Sequence, residues 1–383
     1  MQMIETNLTD EQIAIRDMAQ NFIREEVTPN ALDWDSDQKI PTEVVAQAGE
    51  LGLFGITMPE EFGGAGADFV SYVLATEEIA FGDAGFCNMI NATNSYGFKL
   101  RDFGSLDIKE RFLRPVASGG ALGCMLLTEP HTGSDAANIC TRAERHGDKW
   151  VLNGMKTFVT SGESAGYACI IAVTDPAAGK KGISAFLTRT DSTGYNVLCH
   201  EEKLGHRTNE TCQVALENLE IPETDMLGEP GHGLRIALSG LDSGRVAVAA
   251  QAIGVARAAF EAAMDYAQER EAFGRKIFDH QAIAFHLAEM SMQIEVARAM
   301  CHKTARLKSA DIRCIRQASI AKLFASTMAE KVCSAAIQVH GGAGFITDYR
   351  VEKYYRDARV FQIYDGTNEV QKIIISRELA AGN

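Results

Sequence analysis

The chain has few prolines, 8 in 383 residues, and its 34 glycines follow no period, which excludes collagen-like and Pro-rich scaffolds. Basic residues are the minority. Lys plus Arg number 37 against 51 Asp plus Glu, a formal charge of −14, which argues against a nucleic-acid backbone or an anionic membrane as main partner. No uncharged apolar run approaches the ~18 residues of a membrane span. The start, MQMIETNLTDEQ, lacks a basic n-region and an apolar h-region, so no signal peptide is read there. The nine cysteines (Cys87, Cys124, Cys140, Cys169, Cys199, Cys212, Cys301, Cys314, Cys333) include no C-x-x-C pair. In a chain this long they read as reduced core residues rather than a disulfide framework, and no metal site is expected. Together these absences favour a reducing, cytoplasmic setting.

What is present is globular: 46% hydrophobic and 23% charged residues. The length suggests two or three domains. Thr9 with Gln12 forms a capping-box pattern, and Ile15, Met18, Ala19, Phe22 and Ile23 follow at helical spacing. Pro41 can open a second helix through Val44, Val45, Ala48 and Leu51, ending at Gly52. Further helices are expected from about Ser71 to Ile79 and from about Met89 towards Phe103.

The middle third changes period. Trp150–Leu152 reads as a strand entering a tight turn at Asn153-Gly154, with Lys156–Thr160 returning. Ala168–Val173, Ile183–Leu187 and Gln213–Leu216 read as further strands. The last third is helical again. Ile283, Leu287, Met290, Ile294, Ala297 and Cys301 form a packing seam, and 244–270 and 316–340 are Ala-rich. The expected architecture is α+β and multidomain: an N-terminal helical domain over 1–121, a central β domain over 122–230 and a C-terminal four-helix bundle over 231–383.

Five segments could carry chemistry. Leu127–Asp135 is hydroxyl-rich and can bring N–H and O–H groups to a flat polar ring, though surface turns share that composition. Phe158–Gly162 could pack an aromatic on a ring or be an ordinary strand end. Arg270 and Arg275 suit either a helix C-terminus or a phosphate, with Gln281 beyond. Gln338–Phe345 has more glycine than a helix cap needs. Tyr364–Gln371 offers a carboxylate, Asp365, beside a turn, with Thr367 as a helix N-cap.

The order and spacing of these segments resemble the acyl-CoA dehydrogenase family across essentially the whole chain. Thr128–Asp135 matches its T-E-P-x-x-G-S-D signature, Gln338–Thr367 spans its Q-x-x-G-G-x-G-(F/Y) to Y-x-G-T segment, and Arg270–Gly274 supplies R-x-x-F-G between them. The resemblance implies an oxidoreductase that desaturates an acyl-CoA thioester between the α and β carbons. It also implies bound FAD, an electron-transfer flavoprotein as acceptor and a homotetramer. By motif position, Met125, Leu126, Leu127, Thr128 and Ser134, with Phe158, Val159 and Thr160, lie along the isoalloxazine. Arg270, Phe273, Gln281, Gln338, Val339, His340, Gly341 and Gly342 hold the pyrophosphate and adenosine part, from a neighbouring subunit. Thr367, Asn368 and Glu369 close the site. Ser134, Asp242, Arg245 and Gly366 match positions that contact the acyl-CoA.

In the family a base removes the α-proton while hydride leaves the β-carbon, and a backbone N–H, here near Asp365, steadies the thioester oxygen. Most relatives carry Glu where this chain has Asp365. A minority carry it on the Asp242-Ser243-Gly244-Arg245 helix, where the position here is Gly244. Asp365 is therefore the expected catalytic base, shorter than Glu by one C–C bond, ~1.5 Å, and a misplacement of about 1 Å can cost ~10²-fold in rate. His131-Thr132 replaces residues that are small in many relatives. Alternatives on the same fold are nitroalkane oxidase-like or desulfinase-like flavin chemistry, or a flavoprotein without turnover. The length and the Asp242/Arg245 pair favour the CoA ester.

Overall fold

The computed structural model describes residues 8–382. Met1–Asn7, most of the stretch read as lacking a signal peptide, lie outside the described residues. The chain begins with α1 (Asp10–Phe22), where Thr9 and Gln12 make both bonds of the capping box. Then come α2 (Ala31–Asp37) and α3 (Thr42–Glu50), with Pro41 as the N-cap of α3. The buried pair α4 (Phe69–Gly82) and α5 (Ala84–Phe103) is next. Both start earlier than the apolar pattern alone indicates, because Asp68 and Asp83 cap them by accepting N–H bonds from Ser71 and Phe86. Two short helices, α6 (Leu106–Ile108) and α7 (Arg114–Ala117), lead into the sheet.

The strands are β1 (Gly123–Leu126), β2 (Arg142–His146), β3 (Lys149–Thr160), β4 (Tyr167–Val173), β5 (Ile183–Arg189), β6 (Tyr195–His200), β7 (Thr211–Pro222) and β8 (Met226–Leu227). They form one sheet in the order β6-β7-β3-β2-β4-β5-β8, with β1 parallel to β4. Asn153-Gly154 is not the hairpin turn expected from the sequence; it lies inside β3, at a register shift in the pairing with β7. The hairpin is at Gly147-Asp148, since His146 pairs with Lys149. Asn153 instead accepts the N–H of Asn218 at 2.8 Å, and a Cβ on Gly154 would come within 2.5 Å of Thr141. The Asn-Gly pair thus serves a bulge and a close backbone approach rather than a reversal.

The C-terminal region holds α8 (Gly233–Leu238), α9 (Leu241–Glu269), α10 (Gln281–Ser309), α11 (Ile315–His340), α12 (Val351–Ala358) and α13 (Asn368–Ala380). Between α9 and α10 lies a small hairpin, β9 (Glu271–Ala272) and β10 (Arg275–Lys276). Leu287, Met290, Ile294, Ala297 and Cys301 of α10 are all buried, as their spacing requires. The stretch Gly233–Glu269 is apolar enough to cross a membrane, yet 89% of its most apolar window is buried inside the protein. A buried ion cluster ties it to the N-terminal helices. Arg257 of α9 bonds Glu77 and Glu78 of α4, and Arg298 of α10 bonds Glu77, each at 2.7 Å.

Candidate active site

The residues singled out in the sequence fall into two groups set by the length of α9. It has 29 residues, so its ends are roughly 40 Å apart at 1.5 Å per residue. Asp242 and Arg245 stand at its start; Arg270 caps its end. α11 runs alongside in the same direction. Its Lys322, near the start, bonds the Gly366 turn, while His340 at its end stacks on Tyr266 of α9, with ring centroids 4.4 Å apart.

At the first end, the chain folds back through two left-handed residues, Asp365 (φ 50) and Gly366 (φ 85), before Thr367 caps α13. This is the turn-and-cap arrangement read from the sequence. Asp365 is exposed to solvent on one side, although protein atoms crowd it on the others. Burial pushes its pKa above the ordinary aspartate value, opposed in order by the positive charges of Lys322, Lys99 and Arg245. Gly244 faces it: a Cβ there would stand 3.4 Å from Asp365 Oδ2. The N–H groups of Asp365 and Gly366 donate to no acceptor among the described residues. Arg245 is 6% exposed, its Nε has no hydrogen-bond partner among the described residues, and burial lowers its pKa. Asp242 holds Lys308 at 2.8 Å.

Behind the carboxylate lies a polar network. Tyr364 donates to Gln251 Oε1 at 2.9 Å, and Tyr72 donates to Asn91 Oδ1 at 2.8 Å. Asn91 Nδ2 reaches Gln251 Oε1 at 3.5 Å. Lys99, 3% exposed, donates to the carbonyl of Ser239, just before the αL residue Gly240 that precedes α9.

The sheet contributes the edge of the site. Met125 and Leu126 end β1, Leu127 and Thr128 come next, and the Thr128 carbonyl accepts the N–H of Thr157 at 2.9 Å, joining this loop to the end of β3. There Val159 is buried, while Phe158 turns outward at φ 56 with 65% of its surface exposed. Thr160 receives Asn88 Nδ2 at 3.5 Å, and Ser134 is exposed. Glu129 braces the loop. It accepts from buried Lys156 at 2.8 Å and from the N–H groups of Cys140 and Thr141 at 2.6 and 2.9 Å. Burial works against its ionisation, but Lys156 and these donors outweigh it and hold its pKa below the ordinary value. Glu129, His131 and Cys140 bring one donor atom each within 4.8 Å of one another. That proximity stems from the same bracing of the loop.

At the second end, Arg270, Phe273, Gln281, Gln338, Gly341 and Gly342 are exposed, and Phe273 is 98% so. Val339 and His340 are buried; the His340 ring is taken up by Tyr266, Tyr349 and the Ala336 carbonyl. A Cβ on Gly341 or Gly342 would meet nothing within 4 Å.

Sequence reasoning missed Lys322, Lys99 and the Tyr72–Asn91–Gln251–Tyr364 network. Lys322 carries a readable signal, because it sits four residues from Ala318 and Ser326 on the small-residue face of α11 that faces inward.

Family models match in three consecutive blocks: the acyl-CoA dehydrogenase N-terminal domain over residues 9–120, the middle domain over 124–219 and the C-terminal domain over 231–380. An acyl-CoA dehydrogenase of Bacillus subtilis is 41% identical over 377 residues, covering 98% of this chain and all of that protein. Butyryl-CoA dehydrogenase of Megasphaera elsdenii superposes with a TM-score of 0.96 at 37% identity, covering 98% of this chain and 100% of that one. A chain in the structure of the electron transferring flavoprotein of Acidaminococcus fermentans matches equally, with a TM-score of 0.96 at 40% identity, covering 98% and 99%. With signatures, fold and relatives in agreement along its length, the chain belongs to the acyl-CoA dehydrogenase family, oxidoreductases that depend on a flavin.

Proposed function

We propose that this enzyme desaturates a short acyl-CoA with Asp365 as the base that takes the α-proton. The observation that carries this is the setting of Asp365: a solvent-exposed carboxylate under the charge of three cations, with two N–H groups in its own turn that have no acceptor among the described residues. A raised pKa makes it a stronger base than a free aspartate, and those N–H groups can receive the thioester oxygen as charge develops there. Arg245 and Asp242, at the start of α9, flank the same space. The polar Tyr72–Asn91–Gln251–Tyr364 network behind the carboxylate supports a short acyl group, in keeping with the butyryl-CoA dehydrogenase likeness.

FAD is the flavin that the residues fit. Phe158 presents an exposed ring at the end of β3, where the Thr128 loop joins that strand through Thr157, and the exposed Arg270 and Gln281 with the open backbone of Gly341-Gly342 suit a pyrophosphate and its adenosine. When bound, FAD supplies the acceptor for the β-hydrogen. The chain's own residues orient the thioester, take the α-proton and close the site through Thr367, Asn368 and Glu369. Because the two groups stand at opposite ends of α9, the second serves the cofactor of another copy. This supports a homotetramer, with exposed apolar side chains such as Phe285, Met292 and Val296 on α10 available to its interfaces. The Acidaminococcus likeness supports an electron-transfer flavoprotein as acceptor.

Anaerobic stopped-flow with a panel of acyl-CoA thioesters tests the reading. Short substrates should bleach the flavin fastest, and Asp365→Asn should bind them without bleaching. Undiminished reduction in that variant would overturn the assignment of the base.

A further inference from the structure

Lys322 is fully buried on the inner face of α11. Its Nζ donates to the Gly366 carbonyl at 2.9 Å and to Asn368 Oδ1 at 3.2 Å. Ser326, one turn further along, donates to the same Asn368 oxygen at 3.0 Å, and Asn368 in turn donates to Thr327 at 3.3 Å. One face of α11 thus clamps the turn that carries Asp365.

A clamp alone does not require a charge. The Gly366 carbonyl already accepts from Gln371 Nε2 at 2.8 Å, and the same amide reaches the Asp365 carbonyl at 3.3 Å. A neutral donor would complete that set without the cost of burying an ammonium. No ion pair among the described residues neutralises Lys322; the anions that influence it are Asp365 and, more weakly, Glu369. Beyond a simple clamp, the arrangement holds a positive charge on the turn that carries the base, where it acts on Asp365.

We infer that Lys322 is a positioning residue for the reaction: it fixes the Asp365–Asn368 turn at the reach a short base needs, and its charge keeps that base ionised. This rests on the reading of Asp365 as the base. The groups that face Asp365 are Lys322 from α11, Lys99 from α5, Arg245 from α9 and Tyr72 from α4, together with its neighbour Tyr364. Burial brings Lys322 down to about 8 while the charge of Asp365 works in the opposite direction, so the two groups act on each other through the turn that Lys322 bonds, without direct contact. Removing the cation leaves burial of Asp365 less opposed, so the pKa of the base rises and the acid limb of flavin reduction moves to higher pH.

Lys322→Gln keeps a donor for Gly366 and removes the charge; Lys322→Met removes both; Lys322→Arg keeps the charge. The saturating rate of flavin reduction is measured against pH for each, with FAD content and Tm as controls. The expected result for Lys322→Gln is an acid limb about one pH unit higher. Lys322→Met should show the same displacement with a rate loss of about 10²-fold, while Lys322→Arg keeps the limb near the wild-type position. A lysine that only supports the fold would change Tm and FAD content and leave the limb in place. An unmoved limb in Lys322→Gln overturns the inference. Asp365→Asn separates the two failures: a dead Asp365→Asn with an unmoved Lys322→Gln limb sinks the role of Lys322 alone, whereas an active Asp365→Asn sinks the base itself.

Discussion

Gly244 and Asp365 face one another across the site, with a Cβ on Gly244 3.4 Å from Asp365 Oδ2. The two positions at which the family resemblance places a base therefore open onto the same space, one from a helix and one from a turn. A carboxylate grafted on α9 can replace the one in the turn. Asp365→Asn should lower flavin reduction by about 10²–10⁴-fold, the range of a lost general base. Adding Gly244→Glu to that variant should recover at least about tenfold of the loss, by the same reasoning. A double variant no faster than Asp365→Asn, with FAD retained, would show that only the turn can present a base.

Asp365→Glu asks whether the shorter side chain limits the rate. The carboxylate is exposed, and the residue opposite is a glycine, so an added methylene has room to extend. Reduction by a short acyl-CoA should be preserved or faster, by up to about 10²-fold. A slower Asp365→Glu would mean that the substrate occupies that methylene's space and is bulkier at the α-carbon than a straight chain.

How far the sequence reached can be judged from particular residues. The helix–sheet–helix order was legible because periodicity and caps such as Thr9–Gln12 are local signals. Asn153-Gly154 misled because a turn-forming pair also suits a bulge, and only the partner strand, through Asn218, decides between them. Asp365 was legible as a turn residue with a chemical option. Its cations were not, since Lys322, Lys99 and Arg245 come from three helices spread over 223 residues of sequence separation (from 99 to 322). Glu77, Arg257 and Arg298 were hidden for the same reason: an ion cluster is a tertiary fact.

That cluster sets a stability prediction. Burial opposes ionisation of Glu77, but Arg298 and Arg257 outweigh it and hold its pKa well below the usual carboxylate range. Glu77→Gln takes from Arg298 its buried counter-charge, leaving it the exposed Glu295, while Arg257 keeps Glu78, at a cost of about 3 kcal/mol. A carboxylate with a depressed pKa stabilises fully above its unfolded value, about 4.3, and loses that contribution as pH falls through its folded value. The Tm gap between wild type and Glu77→Gln should thus be full at neutral pH and close progressively in acid below about pH 4. A gap independent of pH down to acid unfolding would show that Glu77 acts through packing, not charge.

The last prediction concerns which copy of the chain each group serves. Arg270 lies at the far end of α9 from Arg245, roughly 40 Å away at 1.5 Å per residue, so it cannot complete the site that holds its own chain's Asp365. Arg270→Ala should retain FAD less well, because a guanidinium–phosphate contact is lost, and its activity should rise when FAD is added in excess. Complementation then separates the two geometries. Arg270→Ala and Asp365→Asn chains are mixed, unfolded and refolded together, or co-expressed with different tags and purified as hybrids. If Arg270 serves a neighbour, an Arg270→Ala chain keeps its own Asp365 and borrows Arg270 from the Asp365→Asn chain, so some sites in the hybrid are whole. Flavin content and acyl-CoA-dependent bleaching should then exceed the average of the two parent variants. If Arg270 acts within its own chain, every site in the hybrid carries one defect or the other and no gain appears. A hybrid no better than its parents, at the same assembly mass, would overturn the shared site.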